Sequence, residues 1–166
     1  MFMIFEEKLG KAIDLIKEKG AFLTIKDGNK VNTMTIGWAN IGYQWRVPVL
    51  SVMVRKSRHS HELIEKASEF TVSIPMNDKL KKELAFCGSK SGRDVDKIKK
   101  CNLKLEKGRN VETPIIDNCE MHFECKIVYK EAMSEENLSK DIKEKFYKDG
   151  NYHTFYYGEI LDCYIK

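Results

Sequence analysis

The seven residues Arg55-Lys56-Ser57-Arg58-His59-Ser60-His61 follow directly on an apolar run and mix cations with hydroxyls and imidazoles. Arginines form charge-assisted hydrogen bonds to phosphate oxygens, serine hydroxyls form neutral ones, and a strand-to-helix junction adds free main-chain amides at the positive end of a helix. The run is a candidate phosphate cradle. It reads equally as a solvated basic turn in which Ser60 is an ordinary helix cap. The abrupt change from the apolar run Pro48–Val54 to this cluster leaves the two readings level.

Two further groups could face a ligand. Asn32-Thr33-Met34-Thr35, with Gly37 and Trp38 behind it, places polar side chains along a β-rich stretch. Such a stretch, beside an exposed main-chain edge, could hydrogen-bond the polar edge of a flat heteroaromatic ring while Met34 or Trp38 packs on its carbons. A half-exposed strand with ordinary threonine enrichment has the same composition. The stretch from Cys87 to Lys97, CGSKSGRDVDK, combines glycines that allow close backbone approach with Arg93 and Lys97, which could meet a phosphate or an electron-rich ring edge. It lacks the spacing of a Walker loop or a dinucleotide fingerprint, and its composition is also that of a plain surface loop.

Other chemistries have less support. His59, His61, His122 and His153 form no HExxH or other compact metal motif, no GxSxG elbow occurs, and no metal is expected. The five cysteines, Cys87, Cys101, Cys119, Cys125 and Cys163, are odd in number and miss the CxxC spacing of zinc sites. They read as buried, reduced cysteines.

The elements that must position these groups follow from periodicity. Leu9, Ala12, Ile13 and Ile16 recur at helical spacing from Glu6 to Lys19, with Gly20 as the stop. AFLTI and VNTMTIG read as strands joined by a turn containing Asp27-Gly28. Pro48–Val54 reads as a strand buried on both faces, HSHELIEKASEF as a short helix, and FTVSIP as a strand, after which Asn77 caps a helix through Phe86. From Cys119 to Tyr129, apolar residues alternate with Glu120, His122, Glu124 and Lys126, the pattern of a strand with one face in a core and one polar. A polar helical segment, SEENLSKDIKEKFYKDG, leads into a last strand, TFYYGEILDCYIK. Many strands, few helices and no βαβ alternation favour a mainly β fold, a compact β-barrel with peripheral helices.

At 166 residues the chain fits one domain, with residues 1–20 as an N-terminal helix and 21–166 as the barrel. Its hydrophobic fraction of 42% and charged fraction of 33% are those of a soluble globular protein. No apolar run approaches a membrane span, and the start lacks a signal-peptide pattern, so a cytoplasmic location is expected. A net charge of +4 is too small to imply nucleic acid, yet it suits an anionic small ligand.

Taken in order, NTMTIGWA, PVLSVMVRKSRHSHELIEKASEFTVSIP, CGSKSGRDVDKI, TPIIDNCEMHFECKIV and HTFYYGEI resemble the flavin reductase-like family, the FMN-binding split-barrel group that includes flavoredoxins. The resemblance runs from about Ala21 to Ile160. It implies a split β-barrel, a noncovalent FMN and a homodimer with the flavin near the subunit interface. It puts Asn32, Thr33, Met34 and Thr35 along the flavin, and Arg55, Ser57 and Ser60 in the phosphate motif with His61 beside them. Ser91, Gly92, Arg93 and Lys97 match the loop that closes over the cofactor, and His153 resembles a site-facing histidine; a histidine there could donate a hydrogen bond or titrate near neutrality, and so tune reduction. Trp38 and Trp45 fall where family members vary. The implied activity is that of an NAD(P)H-dependent flavin reductase or of a flavoredoxin-like electron carrier with a redox protein partner. A flavin- or related-cofactor-binding module without turnover is the alternative.

Overall fold

Gly20 ends the first helix as its sequence suggests. It adopts φ 87°, which a side chain would strain, and its amide donates to the Ile16 carbonyl at 2.9 Å. The computed structural model describes residues 2–166, with side chains from Glu7 onward, so Met1 lies outside the described residues. Helix α1 spans Phe2–Lys19. Its buried stripe is Ala12, Leu15 and Ile16, whereas Ile13 is exposed. The helical spacing that places Ile13 inside is therefore corrected: Leu15 and Ile16, three and four positions beyond Ala12, complete the inward face.

Nine strands follow among the described residues. They are β1 (Ala21–Asp27), β2 (Lys30–Ile36), β3 (Ala39–Gln44), β4 (Val47–Arg55), β5 (Glu69–Ile74), β6 (Leu105–Glu106), β7 (Ile115–Ile116), β8 (Met121–Ala132) and β9 (His153–Ile165). Seven form one antiparallel sheet in the order β2-β1-β5-β8-β9-β4-β3, and β6 and β7 form a separate two-stranded arm. The β1–β2 hairpin turns at Gly28, whose φ of 57° suits a primed turn, with Asp27 paired to Lys30. Leu23 and Ile25 of β1, Met34 and Ile36 of β2, Leu50, Val52 and Val54 of β4, Phe70 and Val72 of β5, Phe123 and Cys125 of β8 and Tyr156 of β9 share one core. A single sheet whose strands all feed one core is curled into a barrel, and this one is split because its edge strands β2 and β3 do not pair.

The helices after α1 are shorter than the sequence suggests. Helix α2 is only His59–Ile64, because Glu69 and Phe70 already belong to β5. Helix α3 is Lys81–Ser89, so it takes in Cys87, Gly88 and Ser89, and Leu80 rather than Asn77 precedes it. The Asn77 side chain instead accepts the Lys79 amide in a turn. Helix α4 (Lys97–Lys100) begins at an Asp96 cap, and α5 is Lys140–Phe146 after a 3-10 turn at Glu135–Asn137. Among the described residues no helix is long and apolar enough to cross a membrane.

The polar face expected on β8 is buried over its first half: His122 and Glu124 are both fully enclosed. The chain between α4 and β8 covers that face, and the polar groups are satisfied there. Glu124 accepts the amides of Arg109 and Asn110 and the Tyr164 hydroxyl, and His122 meets Ser73 Oγ and the Cys119 carbonyl. Tyr129, expected inside, is exposed beyond a register shift in the β8–β9 ladder.

Glycine at position 158 is required by packing inside the barrel. A Cβ there would stand 2.7 Å from Cys125 Cβ and from Phe70 Cζ, both fully buried. Gly158→Ala is expected to destabilise the protein by about 1–3 kcal/mol through overpacking, measured by urea unfolding; an unchanged midpoint would show that Phe70 gives way freely.

Candidate functional site

Two adjoining hollows open along the free edge of β2. The first, about 360 Å³, is lined by Met34, by Arg55 and the 57–60 segment, by Cys87 and the 89–93 segment, and by Lys97 and Asn151. The second, about 160 Å³, is lined by Met34–Trp38, Met53, Arg55, Arg58 and His153. Met34, Arg55 and Arg58 belong to both, so the hollows make one groove with a basic end and an aromatic end. A groove of this volume with one strongly polar, cationic end suits a small anionic ligand.

Strand pleating sorts the residues of β2. Asn32 and Met34 share one face; Thr33 and Thr35 share the other. Asn32 Nδ2 donates to Ser60 Oγ at 2.8 Å, so Ser60, in the first turn of α2, is a buried partner of β2 and not the cap of its helix. Thr33 donates to the Leu23 carbonyl and meets Thr24 Oγ1, and it lines neither hollow. Thr35 donates to the Leu84 carbonyl at 2.6 Å, tying β2 to α3, while it also borders the aromatic hollow. Unpaired on one side, β2 presents main-chain groups as well as side chains.

The basic end is built from three chain segments. Arg55, at the end of β4, donates to the carbonyls of Asn151 at 2.5 Å and Phe146 at 3.0 Å and lies over the Tyr147 ring. It therefore clamps the 146–151 segment as well as lining the groove. Ser57 Oγ accepts from Asn151 Nδ2 at 2.7 Å, and its carbonyl accepts from Arg93 Nη1. Arg93 is also ion-paired with Glu62, whose carboxyl it holds below the usual range, so the 90–96 loop is fastened to α2. Ser91 Oγ accepts the Arg93 amide, and Gly92 passes so close to Asn32 and His59 that a Cβ would stand 2.9 Å from the His59 ring.

Lys97 is 4% exposed and donates to the Cys87 carbonyl at 3.2 Å. Burial lowers its pKa, and among the described residues it forms no ion pair with a carboxylate. A buried ammonium with unused donors and no counter-charge is costly unless an anion arrives.

The two expected site histidines are placed differently. His61 lines neither hollow; its Nε2 lies 3.0 Å from Thr154 Oγ1, and burial lowers its pKa. His153 does face the aromatic hollow, 7% exposed, with Nδ1 2.8 Å from the Tyr147 hydroxyl and Trp38 against its ring. Burial, then Arg55 and Arg58, push its pKa down to about 4, so it does not titrate near neutrality. Trp38 is half-exposed, set edge-on to Phe146 at 5.2 Å.

The sequence-derived set omits Arg58, Asn151 and Met53. Arg58 borders both hollows, with Nη1 donating to the Gly88 carbonyl at 2.9 Å. Its place beside Arg55 in the basic run was a usable signal; nothing local marked Asn151 or Met53. Among the described residues no cluster of three or more His, Cys, Asp or Glu could hold a metal ion.

Residues 16–166 match the family model described as flavin reductase like domain. An uncharacterized protein of Archaeoglobus fulgidus is 29% identical over 140 residues, 84% of this chain and 68% of its own length. A flavoredoxin from Methanosarcina acetivorans superposes with a TM-score of 0.68 at 26% identity, covering 89% of this chain and 68% of that one. An FMN-binding protein from Thermus thermophilus, solved with bound 1-cyclohex-2-enone, gives a TM-score of 0.66 at 21% identity, covering 87% of this chain and 68% of that one. The chain thus spans about two thirds of each of these relatives.

Burial makes a pH prediction. His153 and His122, the latter also pushed down to about 4 by burial, stay neutral in the folded chain at pH 5–6. Unfolded imidazoles take up protons near pH 6.5, so the unfolded state binds more protons between about pH 6.5 and 4 and stability falls as pH drops through that window. Imidazole NMR titration is expected to show two rings titrating near 4, one of them lost in His153→Gln, which should also flatten the acid loss of stability. A His153 resonance titrating near 6.5 would overturn this.

Proposed function

The chain belongs to the flavin reductase-like domain family, and from that premise we propose that it binds FMN noncovalently, with the phosphate in the basic end of the groove and the ring toward Trp38 and His153. The observation that carries this reading is Lys97, a buried ammonium that forms no ion pair among the described residues, in a hollow also walled by Arg55, Arg58 and Arg93. A phosphate would offset the Lys97 charge beside Arg58, and the aromatic hollow supplies the apolar walls a flat ring needs. Ser57, Ser60 and Ser91 add hydroxyls at the same end, and Asn32 steers Ser60.

Bound there, flavin would supply hydride and one-electron chemistry. The chain's own residues divide the remaining work. Lys97, Arg58 and the serines hold the anion; Arg55 fixes the 146–151 wall; Arg93 and Glu62 keep the 90–96 loop over the groove; Trp38 and Phe146 limit water at the aromatic end. His153, neutral and bonded to Tyr147, orients and polarises its surroundings without exchanging a proton near pH 7.

We further infer an oxidoreductase role, as an NAD(P)H-dependent flavin reductase or a flavoredoxin-like carrier served by a redox protein, in a homodimer. Stopped-flow mixing separates the two: rapid bleaching of bound FMN by NADH or NADPH supports the reductase, and bleaching only by a reduced protein supports the carrier. Light scattering tests the dimer; a monomer that keeps its FMN would count against it.

The binding reading makes a sharper prediction. FMN should bind tighter than riboflavin, and Lys97→Met should weaken FMN by about 1.5–3 kcal/mol, roughly ten- to a hundredfold, with little effect on riboflavin. The same substitution removes an uncompensated buried charge, so the ligand-free protein should melt no lower than the parent. Equal affinities for FMN and riboflavin would overturn the phosphate assignment.

A further inference from the structure

Cys87 lies in the last turn of α3, Cys101 directly follows α4, and their sulfurs are 4.0 Å apart. At that contact the sulfurs need to approach by only about 2 Å to reach the S–S bond length. The two differ in access: Cys87 is 1% exposed, whereas Cys101 is half-buried. Glu83, one turn before Cys87, has a buried Oε2 without a hydrogen-bond partner, and its charge is felt at both sulfurs.

The pair sits against the groove. Cys87 lines the basic hollow, its carbonyl accepts from Lys97 Nζ, and the next carbonyl, Gly88, accepts from Arg58 Nη1. Two peptides thus hold two of the cations, and one of them carries the Cys87 sulfur. Lys97 itself opens α4, the helix that ends at Cys101. Because Lys97 and Cys101 flank the short α4 and the Lys97 acceptor is the Cys87 carbonyl, any shift of α3 or α4 that draws the sulfurs together moves Lys97 relative to its carbonyl.

We propose that Cys87 and Cys101 are a peroxide-oxidisable dithiol whose disulfide loosens Lys97 and weakens anion binding in the adjoining groove. The oxidant is hydrogen peroxide. The Cys101 thiolate attacks one peroxide oxygen, the O–O bond breaks, and the departing hydroxide is protonated to water, leaving a sulfenic acid. Cys87 then attacks that sulfur through its own thiolate, the S–O bond breaks, and a second water leaves as the S–S bond forms. Two thiols lose two electrons and two protons, and one peroxide becomes two waters. Burial pushes the Cys87 thiol up to about 12 and raises the Cys101 thiol as well, so both steps run on small thiolate fractions, and access rather than acidity makes Cys101 the one that meets peroxide. A thiol reductant reverses the reaction.

The effect on FMN rests on the functional reading above; the disulfide and its effect on Lys97 do not. Treating the full chain with hydrogen peroxide is expected to lower the free thiols from five to three and to yield a peptide joining Cys87 to Cys101. Acylation of Lys97, read by peptide mass without any ligand, should accelerate on oxidation, and FMN affinity should fall about fivefold or more. Cys101→Ser should abolish all of these changes. Retention of five thiols, oxidation at other cysteines, or Lys97 labelling that is unchanged by the disulfide would overturn the proposal. Failure of FMN to bind either form would instead overturn the functional reading, because the thiol and labelling results stand without it.

Discussion

Strands β2 and β3 are separated by only Gly37 and Trp38, yet they lie at opposite edges of the same sheet and do not pair. A hairpin there would have closed the barrel and satisfied both edges. Because it does not form, β2 keeps one side of its backbone free, and α2, α3 and the 90–96 loop gather along that side. Each is tied to it or to its neighbours by a specific contact: Asn32 to Ser60, Thr35 to the Leu84 carbonyl, and Gly92 passing close to Asn32. The groove follows from this open edge.

The charge in the groove is distributed unequally, and the differences assign different work. Arg55 and Arg93 commit their donors to carbonyls and to Glu62, so they mostly hold the walls in place. Lys97 has one carbonyl and no carboxylate among the described residues, and it is the most deeply buried of the cations. Such a charge is costly unless an anion offsets it. The same logic keeps His153 neutral, since burial and two nearby arginines both oppose a proton on its ring.

Away from the groove, the first half of β8 buries polar groups whose partners are complete. Glu124 accepts from two amides and a hydroxyl, and both ring nitrogens of His122 are engaged. These bonds fasten the chain around β6 and β7 to the outer face of β8. That chain also contributes Leu103, Ile116 and Cys119 to a second core with Phe22, Leu84 and Cys87. The α3 end that carries the groove's carbonyls is thereby packed from behind, and its position is set by side chains remote from the groove.

By itself the sequence determined the local elements: the Gly20 stop, the hairpin at Gly28, the buried β4 run ending at Arg55, and the last strand. These depend on near-neighbour patterns of apolar spacing and on backbone freedom at glycine, which are present in the chain before it folds. It also marked most of the groove, because Arg55, Ser57 and Ser60 lie in one run and Ser91, Gly92 and Arg93 in another. Tertiary structure decided what each residue does there. Alternation along β8 could not reveal that a distant segment covers its polar face, and a basic run could not show that Arg55 is occupied by carbonyls 91 and 96 positions away. Nor could it show that Thr33 turns from the groove, that His61 bonds Thr154, or that Lys97 is buried with only a carbonyl to meet it. Those outcomes depend on which segments meet across the sheet, and burial, pairing and pKa are properties of that meeting.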